Sequence, residues 1–396
     1  MSIVGIVAEY NPFHLGHQFH IQRSLDLLGE GSTVVCVMSG DYVQRGEASV
    51  YAKYARAEAA CRCGADLVVE LPLPWCISSA EGFARGAVSL LAALGCDTLS
   101  FGSESGDPES LDALAAALLT PEMDERIRRI VESEPNLSYA AARQSAAAEL
   151  CGGRAALLSE PNDILAVEYL KTIRSLDLSL RPLAIRRVGS AHDGTGGELR
   201  SASELREILR GGGEIAGEVP QAAHAVFTRE DALGRRVDPA RLEIALLARL
   251  RSLAPDAYER LQDASGGLGR RLYRAVMDEP GLDAVTAAAK TKRYALARIR
   301  RLLLSAALGL KDGDAAGLPP YARILAANAR GRDYLRGLHG ASLPIVTKPA
   351  VLREIGGEAL RCFELGSAAH DLLVLGFPRE EQRRGGQDWR TGPAIL

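Results

Sequence analysis

Short apolar runs alternate with longer amphipathic stretches along the first half of the chain. Five of these runs predict β-strands buried on both faces, at 3–8, 33–39, 67–71, 98–101 and 183–188. Between them the apolar residues recur at helical spacing, which predicts helices over 18–28, 52–63, 81–94, 111–119, 121–151 and 164–176. This alternation favours a doubly wound parallel sheet, in which ligands bind at the carboxyl ends of the strands.

The pattern changes near residue 210, where the strand signals fade. A glycine run at 211–213, followed by Pro220, marks a predicted boundary. Beyond it, Ala, Leu and Arg recur at helical spacing and predict helices over 242–253 and 294–308. We therefore expect an α/β domain at 1–212 and a mainly α-helical domain at 213–396. The polar tail at 378–396 is predicted to fray.

Composition narrows the class of protein. A chain of 396 residues is long enough for two domains, and its net charge of −3 excludes a globally basic nucleic-acid coat while allowing a local basic patch. No apolar run approaches the roughly 20 residues of a membrane span, and the first strand has no basic region before it, as a signal peptide would. We expect a cytoplasmic protein that does not associate with membranes.

The seven cysteines favour reduced, largely buried thiols. Cys61 and Cys63 are the one pair close in sequence, and no second pair completes a zinc site. Most of the others lie in apolar contexts. We therefore expect neither disulfide bonds nor a metal site.

The most specific chemical signal follows the first predicted strand. A turn leads into His14-Leu15-Gly16-His17 at the start of a helix. Backbone N–H groups at a helix start bind phosphate, and two imidazoles beside them can donate to charge that builds on a reacting phosphate. The alternative is that both histidines merely cap or pack the helix. The HxGH pattern resembles the signature of nucleotidyltransferases, in which a nucleoside triphosphate is attacked at its α-phosphate.

Further polar segments follow other predicted strands. The segment 38–47, MSGDYVQRGE, packs polar groups around two glycines, and a plain surface turn is the alternative. Lys53 and Arg56 follow on a helix, where their cationic groups could reach a phosphate or a carboxylate. Gly102, in FGSE, would let a backbone approach a ligand closely.

Three later segments complete this set. SEPNDIL, at 159–165, opens a helix, for which Asn162 or Asp163 could be a simple N-cap. Arg186 and Arg187 close a strand at the end that suits a phosphate. His192 and the serine-rich helix start SASELR, at 201–206, are interpreted as a second phosphate clamp opposite the HxGH turn.

A basic stripe is predicted in the second domain. At helical spacing over 290–304, the cationic and tyrosine side chains fall on one face, namely Lys290, Arg293, Tyr294, Arg298 and Arg301. Leu296, Ile299 and Leu303 fall on the opposite face and can pack. Such a stripe is a candidate track for a nucleic-acid backbone, with an ordinary solvated face as the alternative.

Taken together in this order, GIVAEYNPFHLGHQFH, MSGDYVQRGE, DLVVELP, FGSE, SEPNDILAVEY and SASELR resemble the tRNA(Met) cytidine acetate ligase family. The resemblance is dense over 1–210 and looser beyond. It implies an HxGH nucleotidyltransferase-like Rossmann fold and an ATP-dependent ligase. It also implies that acetate is activated as acetyl-adenylate, with release of pyrophosphate, and transferred to N4 of the wobble cytidine of elongator tRNA(Met).

The resemblance also implies roles for individual residues. His14 and His17 would be catalytic, and Mg²⁺ would accompany ATP, with no tightly bound organic cofactor. ATP would contact Val7, Ala8, Glu9, Tyr10, Asn11, Pro12, Phe13, His14, Leu15, Gly16, His17, Gln18, Phe19, His20, Gly102, Asn162 and Arg187. Apart from the resemblance, the basic stripe predicts that the tRNA contacts Lys290, Arg293, Arg298 and Arg301. One departure from the family is Ala48-Ser49, where a proline is expected after Gly46-Glu47.

Two rival functions stay open at this point. A small-molecule adenylyltransferase of the pantetheine-phosphate or nicotinamide-nucleotide type would share the HxGH turn, but it would leave the long helical part unexplained. An RNA-binding adaptor without catalysis would share the sheet, but the intact His14 and His17 argue against it.

Overall fold

The computed structural model describes residues 2–134, 136–187 and 199–396. Its strands are β1 (Ile3–Ala8), β2 (Thr33–Ser39), β3 (Tyr42–Val43), β4 (Glu47–Ala48), β5 (Leu67–Leu71), β6 (Thr98–Ser103), β7 (Arg181–Arg186), β8 (Ala322–Ala327), β9 (Ile345–Val346) and β10 (Ala394–Ile395).

Helices surround these strands. The first half of the chain contributes α1 (Leu15–Leu28), α2 (Lys53–Arg62), α3 (Ala80–Ala93), α4 (Pro108–Ala117), α5 (Pro121–Ser133), α6 (Tyr139–Cys151), α7 (Pro161–Ser175) and α8 (Ala202–Arg210). The second half contributes α9 (Gln221–Ala232), α10 (Pro239–Arg251), α11 (Pro255–Glu259), α12 (Leu268–Asp278), α13 (Leu282–Ala289), α14 (Leu296–Leu308), α15 (Ala329–Gly337), α16 (Val351–Ile355) and α17 (Gly357–Val374).

The main sheet has the predicted doubly wound order. Its path is β10-β8-β5-β2-β1-β6-β7, and the five strands from β5 to β7 are mutually parallel. The chain first winds outward from β1 through β2 to β5 and then returns to the other side of β1 with β6. The direction of winding therefore reverses between β1 and β6, which is where a doubly wound sheet opens a crevice for a ligand.

Residues from the second half of the chain complete this sheet. β8 pairs antiparallel with β5, and β9 and β10 pair with β8. The expectation that strands end near residue 210 is therefore wrong. The segment 322–327 reads ARILAA, and its alanines carry little of the β-branched signal that marks a strand. The position of the domain boundary at 212/213 stays a prediction.

Each face of the sheet is covered by its own cluster of buried hydrophobic side chains. On β2, Val34, Cys36 and Met38 belong to the cluster with α1, α2 and α9, while Val35 and Val37 belong to the other. That second cluster also contains buried residues of α10, α12, α14 and α17. This second cluster is therefore continuous from the sheet to the helical part.

Three predicted segments differ from the observed structure. The helical stretch 121–151 is two helices, because α5 ends at Ser133 and the side chain of Ser138 caps a new helix, α6. The predicted strand 183–188 is shifted to β7, and Val188 lies outside the described residues. The tail does not fray, because Asp388 is fully buried in ion pairs and β10 joins the sheet.

The cysteine prediction is confirmed. All seven cysteines are free thiols, and six of them are buried, with Cys151 half-buried. Among the helices that the structure describes, none is both long and apolar enough to span a bilayer.

Candidate functional site

The HxGH turn builds the start of α1 from its own histidines. His14 is the N-cap, and its Nδ1 accepts a hydrogen bond from the backbone N–H of Gly16 at 3.0 Å. The Nδ1 of His17 accepts in turn from the backbone N–H of His14 at 3.2 Å. This is a reciprocal capping box in which imidazoles replace the usual hydroxyl and carboxylate. A Cβ at Gly16 would lie 2.9 Å from Cε1 of His14, so the glycine leaves room for that ring.

These bonds fix how the imidazoles present their protons. Because each Nδ1 accepts a hydrogen bond, the proton of each neutral ring resides on Nε2. Within the described residues neither Nε2–H has a protein partner, and the two rings stack with centroids 3.8 Å apart. Tyr10 and Phe13 pack against His17, with centroids 4.8 and 5.5 Å away. The turn therefore holds two N–H donors in a fixed position.

The environment keeps the histidines neutral. Burial, with the positive charge of Arg187 nearby, lowers the pKa of His14 to about 4, and the same causes lower the pKa of His20 to about 4. Burial and the neighbouring His14, His20 and Arg187 push the pKa of His17 well below its ordinary value. In the free protein at neutral pH these rings are uncharged hydrogen-bond donors.

We expect an anionic ligand to reverse this shift for His14. In the free protein, ¹⁵N NMR titration should give His14 a pKa of about 4 and the Nε2–H tautomer at pH 7. A bound triphosphate places negative charge beside the ring and favours its charged form, so the pKa should rise above about 4. An unchanged His14 pKa at saturating ATP analogue would contradict a phosphate beside this ring.

His14, His17 and His20 line a cavity of about 250 Å³, which we call the HxGH cavity. It is lined by Ile6, Val7, Ala8, Glu9, Tyr10, His14, Gly16, His17, Phe19, His20, Gln44, Arg45, Phe83, Phe101, Gly102, Asn162, Leu165, Tyr169, Ile185, Arg186, Arg187 and Leu199. Its walls come from the ends of β1, β6 and β7, at the reversal of the strand order. The cavity thus occupies the place where the fold class predicts a ligand.

Twelve of the seventeen residues predicted to contact ATP line this cavity. The other five, Asn11, Pro12, Phe13, Leu15 and Gln18, belong to the turn and helix start but do not line it. Asn11 instead accepts a hydrogen bond from the backbone N–H of Val50 at 2.9 Å, and Phe13 is fully buried. These residues shape the turn, and contact with ATP stays a prediction for the whole set.

His20 carries a defined orientation as well. The hydroxyl of Ser24 donates to the backbone oxygen of His20 at 2.8 Å, so Ser24 accepts from Ser100 at 2.7 Å. Ser100 then accepts from Nε2 of His20 at 2.8 Å. This chain of donors leaves Nδ1 of His20 as a hydrogen-bond acceptor.

The segments 101–104 (FGSE) and 159–165 (SEPNDIL) form hydrogen bonds with each other beside the cavity. Asp163 accepts from the backbone N–H groups of Glu104 and Ser105, each at 3.1 Å. Glu104 accepts from the backbone N–H of Asp163 at 3.0 Å and from the side chain of Asn162. Neither Asn162 nor Asp163 is an N-cap of α7, because that position is Glu160. These hydrogen bonds hold Asn162 on the wall of the cavity, while Asp163 is fully buried.

Lys53 reaches carboxylates of the protein itself and does not line the HxGH cavity. Its ammonium group is buried and lies 2.8 Å from Glu70 and 2.6 Å from Asp388. Arg323 of β8 pairs with the same two carboxylates at 3.3 and 3.0 Å. Burial alone would lower the pKa of Lys53, but Asp388 and Glu70 hold it above its ordinary value. We call these four residues the buried ion cluster. This cluster joins α2, β5 and β8 to the last residues of the chain.

Arg56 and Arg206 also bond to backbone oxygens of the protein, and neither lines the HxGH cavity. The second phosphate clamp at 201–206 stays a prediction. Arg56 is fully buried and donates to the backbone oxygens of Tyr51, Glu9, Ser39 and Gly40. Arg206 is buried and donates to the backbone oxygen of Asn11 at 3.0 Å. Both arginines therefore stabilise the turn after β1, through the backbone oxygens of Glu9 and Asn11. His192 lies outside the described residues.

The loop 41–47 links the HxGH cavity to the helical part. Gly46 has φ +79, and a Cβ there would lie 2.6 Å from the backbone nitrogen of Arg301. Glu47 pairs with Arg300 at 3.0 Å. Only a glycine permits this approach, so α14 packs directly on a loop that also lines the cavity.

The predicted basic stripe is not a single helix face. α14 begins at Leu296, because the ammonium of Lys290 donates to the backbone oxygens of Thr291 and Tyr294 and closes a turn. Tyr294 is buried, with its hydroxyl donating to Gly266. Lys290 and Arg293 remain exposed beside this turn. Contact of the four basic residues with tRNA stays a prediction.

Sequence reasoning missed the apolar wall of the cavity. Leu165 and Tyr169 follow Asn162 by three and seven residues on α7, so they share its face. Helical spacing from Asn162 would have found them. Phe83 of α3 carries no comparable signal. Within the described residues, no three or more His, Cys, Asp and Glu side chains are grouped to hold a metal ion.

Comparison with known proteins extends this description to the whole chain. The family model for the HIGH Nucleotidyl Transferase matches residues 1–388. The tRNA(Met) cytidine acetate ligases of Syntrophomonas wolfei and Acetivibrio thermocellus are 36% and 32% identical over 99–100% of both chains. A crystal structure of Thermotoga maritima TmcAL bound with α-thio ATP superposes with a TM-score of 0.93 at 31% identity, covering 100% of both chains.

The geometry and these similarities agree. An HxGH turn that orients two N–H donors lies at the strand reversal of a doubly wound sheet, and full-length relatives share both the sequence and the fold. The chain belongs to the HIGH nucleotidyl transferase family and, within it, to the tRNA(Met) cytidine acetate ligases.

Proposed function

We propose that this protein is an ATP-dependent ligase that acetylates N4 of the wobble cytidine of elongator tRNA(Met). The observation that carries the proposal is the pair of Nε2–H donors of His14 and His17, held on the wall of a cavity at the strand ends. A Thermotoga maritima relative of the same fold was crystallised with an ATP analogue. Full-length relatives are named for the tRNA reaction.

In the first step, an acetate oxygen attacks the α-phosphorus of ATP. A new P–O bond forms, the bond to the β-phosphate oxygen breaks, and pyrophosphate leaves. A Mg²⁺ ion bound to the triphosphate would neutralise part of the charge on the leaving pyrophosphate. His14 and His17 donate to phosphate oxygens on which negative charge increases in the transition state. Both rings are already oriented by their Nδ1 hydrogen bonds, so this stabilisation requires no reorganisation.

In the second step, the exocyclic amine of cytidine attacks the carbonyl carbon of acetyl-adenylate. The C–N bond forms, the bond to the AMP oxygen breaks, and the amine loses one proton to solvent or to the departing phosphate. The mixed anhydride reacts readily with water, so the site must exclude water until the base arrives. A wobble base in an anticodon loop can be splayed out and recognised on its edges.

We further propose that the α/β part binds ATP and that the helical part, 213–396, contributes tRNA contacts. The apolar wall of Phe83, Phe101 and Tyr169 suits a nucleobase, while the histidines and Arg187 suit the phosphates. Lys290, Arg293, Arg298 and Arg301 are proposed to contact the RNA backbone.

Arg187→Ala should weaken ATP binding and leave the affinity for free tRNA unchanged. Arg187 is exposed at the end of β7, lines the HxGH cavity and is close enough to lower the pKa of three histidines. Loss of a charge-assisted contact with a phosphate should raise the Kd for ATP about tenfold. Calorimetric titration of each ligand checks this. Weaker tRNA binding with normal ATP binding would assign Arg187 to the RNA surface.

A small-molecule adenylyltransferase is not supported, because the full-length relatives are tRNA(Met) ligases. Exchange of labelled pyrophosphate into ATP tests the proposed first step. We expect exchange that depends on acetate and needs no tRNA. Exchange that requires a nicotinamide or pantetheine phosphate instead of acetate would contradict the proposal.

A further inference from the structure

A second cavity of about 250 Å³ lies between α3 and α14, and we call it the α3–α14 cleft. Its walls are the start of α3 with the preceding segment 74–79, the turn at 261–263, the face of α14 and the segment 310–316. Its charged lining residues are Glu81, Arg85, Asp263, Arg298, Arg301 and Lys311. Four cations therefore face two carboxylates.

The two carboxylates offset only part of this positive charge, with Asp263 acting on Arg301 through its charge. Glu81 lies 3.2 Å from Lys171, outside the set that lines the cleft. Arg298 donates to the backbone oxygen of Asp263, not to its carboxylate. Arg85 and Lys311 are exposed, and neither side chain has a hydrogen bond or ion pair within the described residues. The cleft therefore keeps an excess of positive charge.

Among the cations that line the cleft, Arg301 gives the strongest indication that an anion binds there. The side chain of Arg301 is half-buried, and burial, together with the charge of Arg298, lowers the pKa of the guanidinium, while the Asp263 carboxylate acts in the opposite direction. Within the part of the chain that the structure describes, no carboxylate lies within ion-pairing distance, and the guanidinium donates to the backbone oxygen of Gln44 at 3.4 Å. A half-buried guanidinium with one long hydrogen bond and no ion pair has donors left for an anion that enters the cleft.

The cleft adjoins the HxGH cavity. Gln44 lines the HxGH cavity, accepts from Arg301 and donates through its side chain to the backbone oxygen of Ser78 at 3.4 Å. Ser78 lines the cleft. On α3, Phe83 faces the HxGH cavity while Gly82 and Arg85 line the cleft. Gln44 and the start of α3 therefore contribute to both cavities or lie directly beside both.

We propose that the α3–α14 cleft binds a backbone phosphate of the RNA, next to the nucleotide that enters the HxGH cavity. This inference rests on the proposed function. A strand whose base occupies one cavity carries its adjoining phosphates within one nucleotide of that base, and the neighbouring cleft supplies uncompensated cations. Phosphate recognition here positions the strand and carries no sequence information. It would set the register that places the cytidine amine at the acetyl group.

The double variant Arg85→Glu with Lys311→Glu tests this proposal. Both side chains are exposed and without partners in the described residues, so the fold should be retained. We expect the KM for elongator tRNA(Met) to rise about tenfold, and direct binding of that tRNA to weaken equally. The salt dependence of binding should become shallower, by about 0.7 in the log–log slope for each single-strand phosphate that the variant no longer neutralises.

Acetate-dependent pyrophosphate exchange shows whether the double variant keeps an intact ATP site. It should be unchanged in the double variant, because Arg85 and Lys311 do not line the HxGH cavity. Arg128→Glu is the matched control, an exposed arginine of α5 with no hydrogen bond or ion pair among the described residues. It should leave the KM for tRNA unchanged.

Two outcomes would overturn the proposal. Unchanged tRNA binding in the double variant would remove the cleft from the RNA site. A raised KM for ATP or pyrophosphate in the exchange assay, with normal tRNA binding, would assign the cleft to the triphosphate. A wild-type protein without acetate-dependent exchange would instead overturn the proposed function, which makes the two failures distinguishable.

Discussion

His17→Ala should lower the rate of acetate-dependent pyrophosphate exchange by about a hundredfold or more. The reason is that Nε2–H of His17 donates to charge that develops on the α-phosphate, and loss of one such oriented donor typically costs that much in rate. Steady-state exchange at saturating ATP and acetate measures the effect. Exchange at the wild-type rate would contradict the assignment of the reacting phosphate to this turn.

The alanine variant also loses the hydrogen bond that His17 accepts from the backbone N–H of His14. His17→Gln separates the two roles, because glutamine at the third helical position can accept that bond in a capping box. We expect His17→Gln to recover the stability of the fold but not the rate. Full activity in His17→Gln would show that the cap, not the imidazole, matters. His339→Ala, an exposed histidine elsewhere, should be active.

Lys53→Met should lower the free energy of unfolding by about 3–5 kcal/mol. The ammonium of Lys53 is almost completely buried between Glu70 and Asp388, and removing one partner leaves buried carboxylates without their counter-charge. Urea denaturation measures the loss. Lys292→Met is the matched control, because Lys292 is exposed, has no partner among the described residues and should change stability by less than about 0.5 kcal/mol.

A second variant tests the physical reason for this loss. Adding Asp388→Asn to Lys53→Met removes one of the stranded carboxylates, so the double variant should be more stable than the sum of the two single effects predicts. Strictly additive losses, or a loss below about 1 kcal/mol in Lys53→Met, would contradict the buried ion cluster as a joint between the sheet and the end of the chain.

The central strands can be predicted from the sequence because burial on both faces leaves a direct signal. The apolar pattern predicts β1, β2 and β5 with the observed bounds, since each is a continuous run rich in valine, isoleucine or leucine. β8 lacks that signal, and it becomes a strand because β5 offers an open edge. Pairing between residues 253 positions apart, as in Glu70 and Arg323, is not encoded in local pattern.

The same limit applies to the charged residues near the site. The HxGH turn can be interpreted locally, because both histidines bond to backbone groups within three residues. Lys53 and Arg56 cannot, because their partners are Asp388 and backbone oxygens brought together by folding. A motif identifies where chemistry occurs, but a cation near it can serve either the ligand or the scaffold. Burial decides between these.

Transfer of labelled acetate to tRNA is the decisive test of the proposed reaction. The purified protein is incubated with ATP, isotopically labelled acetate and bulk tRNA, and the RNA is then digested to nucleosides. We expect label in N4-acetylcytidine, confined to the wobble position of elongator tRNA(Met), with one AMP and one pyrophosphate formed for each acetyl group. Unlabelled RNA, or ATP consumed to ADP and phosphate, would contradict it.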